Sequence, residues 1–103
     1  MALELRPNCE FCDKDLPPDA TDAMICTYEC TFCADCVAKE LHNVCPNCGG
    51  GFTTRPIRPK GEYRSGLSLA HRPARTTRVH LTQTPASIRA LSAQLRDTPP
   101  EKR

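Results

Sequence analysis

Apolar positions along the chain gather into a few short sets, none large enough to fold by itself. Leu3 and Leu5 alternate near the start, and Pro7 argues against a helix there. Asp13–Asp22, with Pro17-Pro18 and four aspartates, is a loop by composition. The run from Ala23 to Tyr28 mixes β-branched and aromatic residues and predicts a strand. Val37, Leu41 and Val44 recur at i, i+4 and i+7, the spacing of one helical face about two turns long. So short a helix does not persist in water unaided, and Phe32 and a bound metal are expected to anchor it. Far downstream, Thr84-Pro85 has the form of an N-cap and first helical residue, and Ile88, Leu91 and Leu95 follow at i, i+3 and i+7. This predicts a short helix over 85–96, with Pro99-Pro100 beyond it and no evident partner to dock on.

What joins the first sets is cysteine. All eight cysteines fall between Cys9 and Cys48, spaced Cys9-x2-Cys12-x13-Cys26-x3-Cys30-x2-Cys33-x2-Cys36-x8-Cys45-x2-Cys48. A stretch of about 40 residues rarely buries enough apolar surface to fold alone, and disulfides or metals replace the missing core. The first residues contain no apolar signal segment, because Glu4 and Arg6 interrupt it. No run approaches the ~20 apolar residues of a membrane span. The expectation is a cytoplasmic protein whose thiols stay reduced and bind zinc, with disulfides or an iron–sulfur cluster as alternatives. Four pairs make two all-cysteine tetrahedral sites, closed to water and substrate. With no nucleophile–base pair in the sequence, the expected function is not enzymatic.

The formal net charge of +2 hides a division. Residues 1–54 carry three basic residues against nine acids, while residues 55–103 carry eleven against three. The two parts are read as a cysteine-rich metal-binding domain, 1–54, and a basic Pro/Arg-rich tail, 55–103. Scattered single apolar residues cannot repay the entropy of ordering, so the tail is expected to be extended or disordered apart from the short helix.

The ligand spacing, ending in Cys45-Pro46-Asn47-Cys48, resembles the RING finger and its treble-clef relatives. That resemblance implies a small metal-stapled α+β fold with zinc knuckles, a short β-hairpin and one short helix. It also implies cross-braced pairing: Cys9, Cys12, Cys33 and Cys36 around one ion, Cys26, Cys30, Cys45 and Cys48 around the other. Most RING fingers have histidine where this chain has Cys30. More closely, residues 2–59 resemble a family of small, Cys-rich bacterial proteins known only as a domain of unknown function. The stretches ELRPNCEFC, KDLPPDATDA, ECTFCADC and NVCPNCGG carry that likeness.

The RING resemblance brings a ubiquitin-ligase reading with it, through Phe11 and Pro46. Glu40 near the usual tryptophan, and three glycines after Cys48 where an arginine usually stands, count against it, and fold does not carry function. An iron–sulfur cluster of the ferredoxin kind would need its fourth cysteine where Glu40 stands. A thioredoxin-like dithiol needs a larger frame. His42 reads as an exposed helix residue. Two function classes follow. One is a protein-interaction module presenting Phe11, Leu41, Pro46 and Phe52. The other is a nucleic-acid-associated protein whose basic tail meets phosphates nonspecifically. A thiolate redox switch that releases zinc on oxidation is a third, lesser reading.

Overall fold

In the computed structural model, which describes residues 2–103, the chain begins with an irregular segment and the first Cys-x2-Cys turn. Strand β1 (Ala23–Ile25) then pairs antiparallel with β2 (Thr31–Cys33), in the register Ala23↔Cys33 and Ile25↔Thr31. The expected strand over Ala23–Tyr28 stops at Ile25 because Cys26 opens a turn. Cys26 N–H donates to Cys30 O at 3.2 Å, Glu29 N–H donates to Cys26 O at 3.1 Å, and Glu29 takes φ 64°. Thr31 and Phe32, between Cys30 and Cys33, belong to the returning strand of this hairpin. A third strand, β3 (Thr53–Thr54), adds to the other side of β1 and gives the order β2-β1-β3.

Helix α1 (Ala34–Cys36) follows β2 directly and widens into a π-helical turn, Val37–Leu41. The predicted helical face therefore ends one turn early. His42 and Asn43 both adopt left-handed φ, 51° and 60°, and their N–H groups return to Val37 O. Val44, the last residue of the periodic set, is still buried, from the loop rather than the helix. The core lies between this helix and the hairpin. Phe32, Leu16, Leu41 and Val44 are fully buried, and Phe32 meets Phe52 edge to face at a ring separation of 5.3 Å.

The basic half departs most from expectation: it is laid along the head in defined contacts. It begins inside the core. Arg55 is 2% exposed, and its guanidinium donates to the carbonyls of Arg6, Leu16 and Pro17 at 2.8, 3.3 and 3.0 Å. Burial without a carboxylate partner pushes its pKa down. Further on, the tail runs beside the N-terminal segment in one register. Arg75 N–H donates to Glu4 O, Leu81 N–H donates to Glu10 O, and between them Val79 pairs with Asn8. Asn8 is completely buried, and its amide bonds Val79 in both directions, donating at 2.8 Å and accepting at 3.0 Å. Arg78 bridges Asp13 and Asp15.

Helix α2 (Pro85–Leu95) is capped as expected, with Thr84 Oγ1 accepting from Ser87 N–H at 3.1 Å. It packs on the π-helical turn. Ile88 joins the head's core at 7% exposure, and Ser92 Oγ donates to Leu41 O at 3.1 Å. A 3₁₀ turn, Pro100–Lys102, brings Arg103 back to donate to Asn43 O and Gly49 O, both at 3.0 Å. Composition predicts disorder because such a segment cannot build a core of its own. This one completes the head's core and meets its carboxylates and free carbonyls instead.

Candidate metal centre

Two groups of thiols form where the loops, hairpin and helix converge. The first turn supplies Cys9 and Cys12, and the junction of β2 and α1 supplies Cys33 and Cys36; the four sulfurs lie within 4.8 Å of one another. Cys26, Cys45 and Cys48 form the second group by the same measure. Cys30 falls outside that group, with its thiol near enough to those of Cys26 and Cys45 to shift both. All eight cysteines are free thiols. Cys12 and Cys48 are exposed and the other six buried, so each group reaches the surface at one sulfur.

The spacing fits an ion rather than a covalent bridge. Cys12 Sγ and Cys33 Sγ are 3.8 Å apart. A tetrahedron with metal–sulfur bonds of ~2.3 Å has edges of about 3.8 Å, whereas a disulfide requires ~2.05 Å. Donors are already aimed at the sulfurs. Cys12 N–H donates to Cys9 Sγ at 3.5 Å, Tyr28 N–H to Cys26 Sγ at 3.3 Å, and Gly50 N–H to Cys48 Sγ at 3.4 Å. The Asn47 side chain donates to Cys30 Sγ at 3.5 Å. Such bonds favour thiolate over thiol. Gly49, at φ 79°, makes the turn that brings the Gly50 amide over Cys48.

The thiols share protons unevenly. The Cys30 and Cys45 thiols pull Cys26 down to about 3, and the Cys26 and Cys30 thiols, with burial, push Cys45 up. Burial, with the Cys33 thiol beside it, pushes Cys36 up, and burial pushes Cys9 up. For Cys12, burial acts upward, but the Lys14 amide and neighbouring thiols outweigh it and hold the group low. Each group thus sets a cysteine shifted toward thiolate beside others shifted toward thiol, and a bound cation would displace the thiol protons. The arrangement can bind a metal ion. Four sulfurs would fill its coordination sphere and leave no position for a substrate.

The residues expected to face a partner are placed differently. Leu41 and Phe52 belong to the core, Pro46 is buried as well, and only Phe11, at 40%, is exposed. Leu41 and Phe52 are covered because each answers the need of a small core for large side chains, and α2 closes over the π-helical turn. Residues with no signal in the apolar pattern hold the scaffold together. Among them is Glu10, 4% exposed, which accepts from Thr31 N–H at 2.6 Å and from Arg6 at 3.0 Å. Burial raises its pKa, and the Thr31 amide and Arg6 resist that rise. Asn43, whose side chain accepts from Phe52 N–H at 3.0 Å, ties the end of the helix to the start of β3.

The fold and the two thiol groups define a small α+β protein able to bind metal, with no helix long and apolar enough to cross a membrane. It belongs to the family described as "Protein of unknown function (DUF1272)", which matches residues 2–58. It is similar to an uncharacterized protein of Rhizobium meliloti (strain 1021), 54% identical over 88 residues, which cover 85% of this chain and 98% of that protein. The aligned stretch is longer than the family match and so runs into the basic half. No solved structure matches the chain.

Proposed function

We propose that the chain is a non-enzymatic module that holds two Zn²⁺ in cross-braced, RING-like four-thiolate sites and acts through protein contacts. The observation that carries this reading is the grouping of the sulfurs. The first cysteine pair meets the third, Cys26 of the second pair meets the fourth, and amides point at sulfur in both groups. Zinc suits closed tetrahedral thiolate sites and brings no redox chemistry of its own. Its apparent binding energy of ~10–16 kcal/mol per ion exceeds what a core of this size supplies. Phe11, beside the exposed Cys12, is the apolar residue of the contact surface that remains accessible.

The tail weakens the nucleic-acid reading. Of its cations, Lys60, Arg75 and Arg78 pair with carboxylates of the head. Those charges offset the head's acids and have less to offer phosphates. Two variants test the metal assignment. Cys36→Ser should remove the ion of the first site and Cys30→Ser that of the second, each lowering zinc from two per chain to one. Loss of both ions from either variant would argue for a single shared cluster. No loss from Cys30→Ser would remove Cys30 from the ligand set.

A further inference from the structure

One cavity lies away from the thiols, between the N-terminal segment and the tail. It is an open cleft of about 610 Å³, lined among others by Glu4, Arg58, His71, Arg72 and Arg75. Its charge is one-sided. The single carboxylate, Glu4, is engaged by Arg6 at 2.8 Å and Arg75 at 3.0 Å, and so is already neutralised. Arg58 is held in place from behind. Its guanidinium donates to Leu3 O at 2.7 Å and to Arg72 O, which leaves further N–H donors free. Arg72 has no acidic partner among the described residues, and its side chain is exposed. A second cavity of about 250 Å³ shares Arg58 and Arg72 and continues along Pro59 and Leu67. Leu67 is 61% exposed, a large apolar surface with nothing packed over most of it.

Two guanidiniums without carboxylates, one of them fixed by backbone carbonyls, stand at the junction of an open cleft and a more apolar one. We propose that this junction binds an amphipathic organic anion, its phosphate or carboxylate head on Arg58 and Arg72 and its short apolar body against Pro59 and Leu67. Guanidinium N–H groups form the planar fork that takes either head group with two parallel hydrogen bonds. Pinning Arg58 beforehand lowers the ordering cost of that contact. This proposal stands independently of the metal sites.

The test is an amide NMR titration of the full-length, metal-loaded protein at low salt with hexyl phosphate, hexanoate, inorganic phosphate and hexanol. Hexyl phosphate or hexanoate should shift the amides of Arg58, Leu67 and Arg72–Arg75. Burial of two or three methylenes predicts that the better of the two binds at least about tenfold more tightly than inorganic phosphate. Whichever head binds better identifies the natural one. Arg72→Ala should weaken binding at least fivefold, by loss of one charge-assisted contact, and leave the melting curve unchanged. Arg89→Ala, exposed on α2, should bind as wild type does. No shift with either amphiphile, equal binding of inorganic phosphate, hexanol binding as tightly as hexyl phosphate, or an unaltered Arg72→Ala would each overturn the proposal.

Discussion

Truncating one side chain of α2 tests whether the basic half is part of the fold. Ile88 is 7% exposed and sits in the same apolar cluster as Phe32, Leu41 and Phe52 of the head. Ile88→Ala removes buried methylene and methyl groups and leaves a cavity between α2 and the π-helical turn. Such changes cost ~2–5 kcal/mol in cores. The site lies at the edge of the cluster, where collapse is easier, so the expected loss is at the low end, ~2–3 kcal/mol. In a domain of this size each kcal/mol lowers Tm by ~4–8 °C, which predicts a fall of roughly 8–24 °C. Ile57→Ala is the control: Ile57 is 50% exposed and its truncation should cost less than ~0.5 kcal/mol. Urea denaturation of the zinc-saturated proteins, followed by circular dichroism, measures both. If Ile88→Ala matched wild type within ~0.5 kcal/mol, α2 would not be docked and the tail would be an appendage.

Gly49 and Gly66 share left-handed φ, 79° and 78°, but differ in surroundings. A Cβ at Gly49 would lie 3.1 Å from Leu95 Cδ1, and one at Gly66 would meet nothing within 4 Å. Gly66→Ala should show the backbone strain alone, ~1–2 kcal/mol. Gly49→Ala should cost more, and Leu95→Ala should recover part of the excess in a double-mutant cycle of urea midpoints. Glu4 predicts an acid-side effect. Hydrogen bonds from Arg6, then Arg75, hold its carboxyl below the ordinary value of 4.5, against burial. The stabilisation is therefore present above that value and lost as pH falls through the lowered one. Glu4→Gln should flatten this part of the stability–pH curve, and an unchanged curve would show that the ion pairs do not persist in solution.

The cysteine spacing made the thiol sites legible because ligand chemistry tolerates few alternatives. The cap at Thr84-Pro85 was equally readable, since N-cap geometry is local and depends on two or three residues. What failed was inference from amount. The composition from Arg55 onward says that the segment cannot fold alone, which is correct physics applied to the wrong unit. Asn8, Glu4 and Glu10 wait across the chain for Val79, Arg75 and Leu81, and nothing in a linear pattern announces pairing between segments so far apart. Leu41 and Phe52 illustrate the same limit from the apolar side. Their types suit a contact surface or a core equally well, and only the arrival of α2 and the stacking on Phe32 place them inside.

The central claim is that two closed four-sulfur sites, each holding zinc, staple this fold. X-ray absorption at the zinc edge, on protein purified without added metal and with total zinc quantified, addresses it most directly. The account predicts two zinc ions per chain and a single shell of four sulfurs at ~2.3 Å, with no lighter ligand. Iron in place of zinc, nitrogen or oxygen in the first shell, or a metal-free protein with its cysteines in disulfides would contradict it.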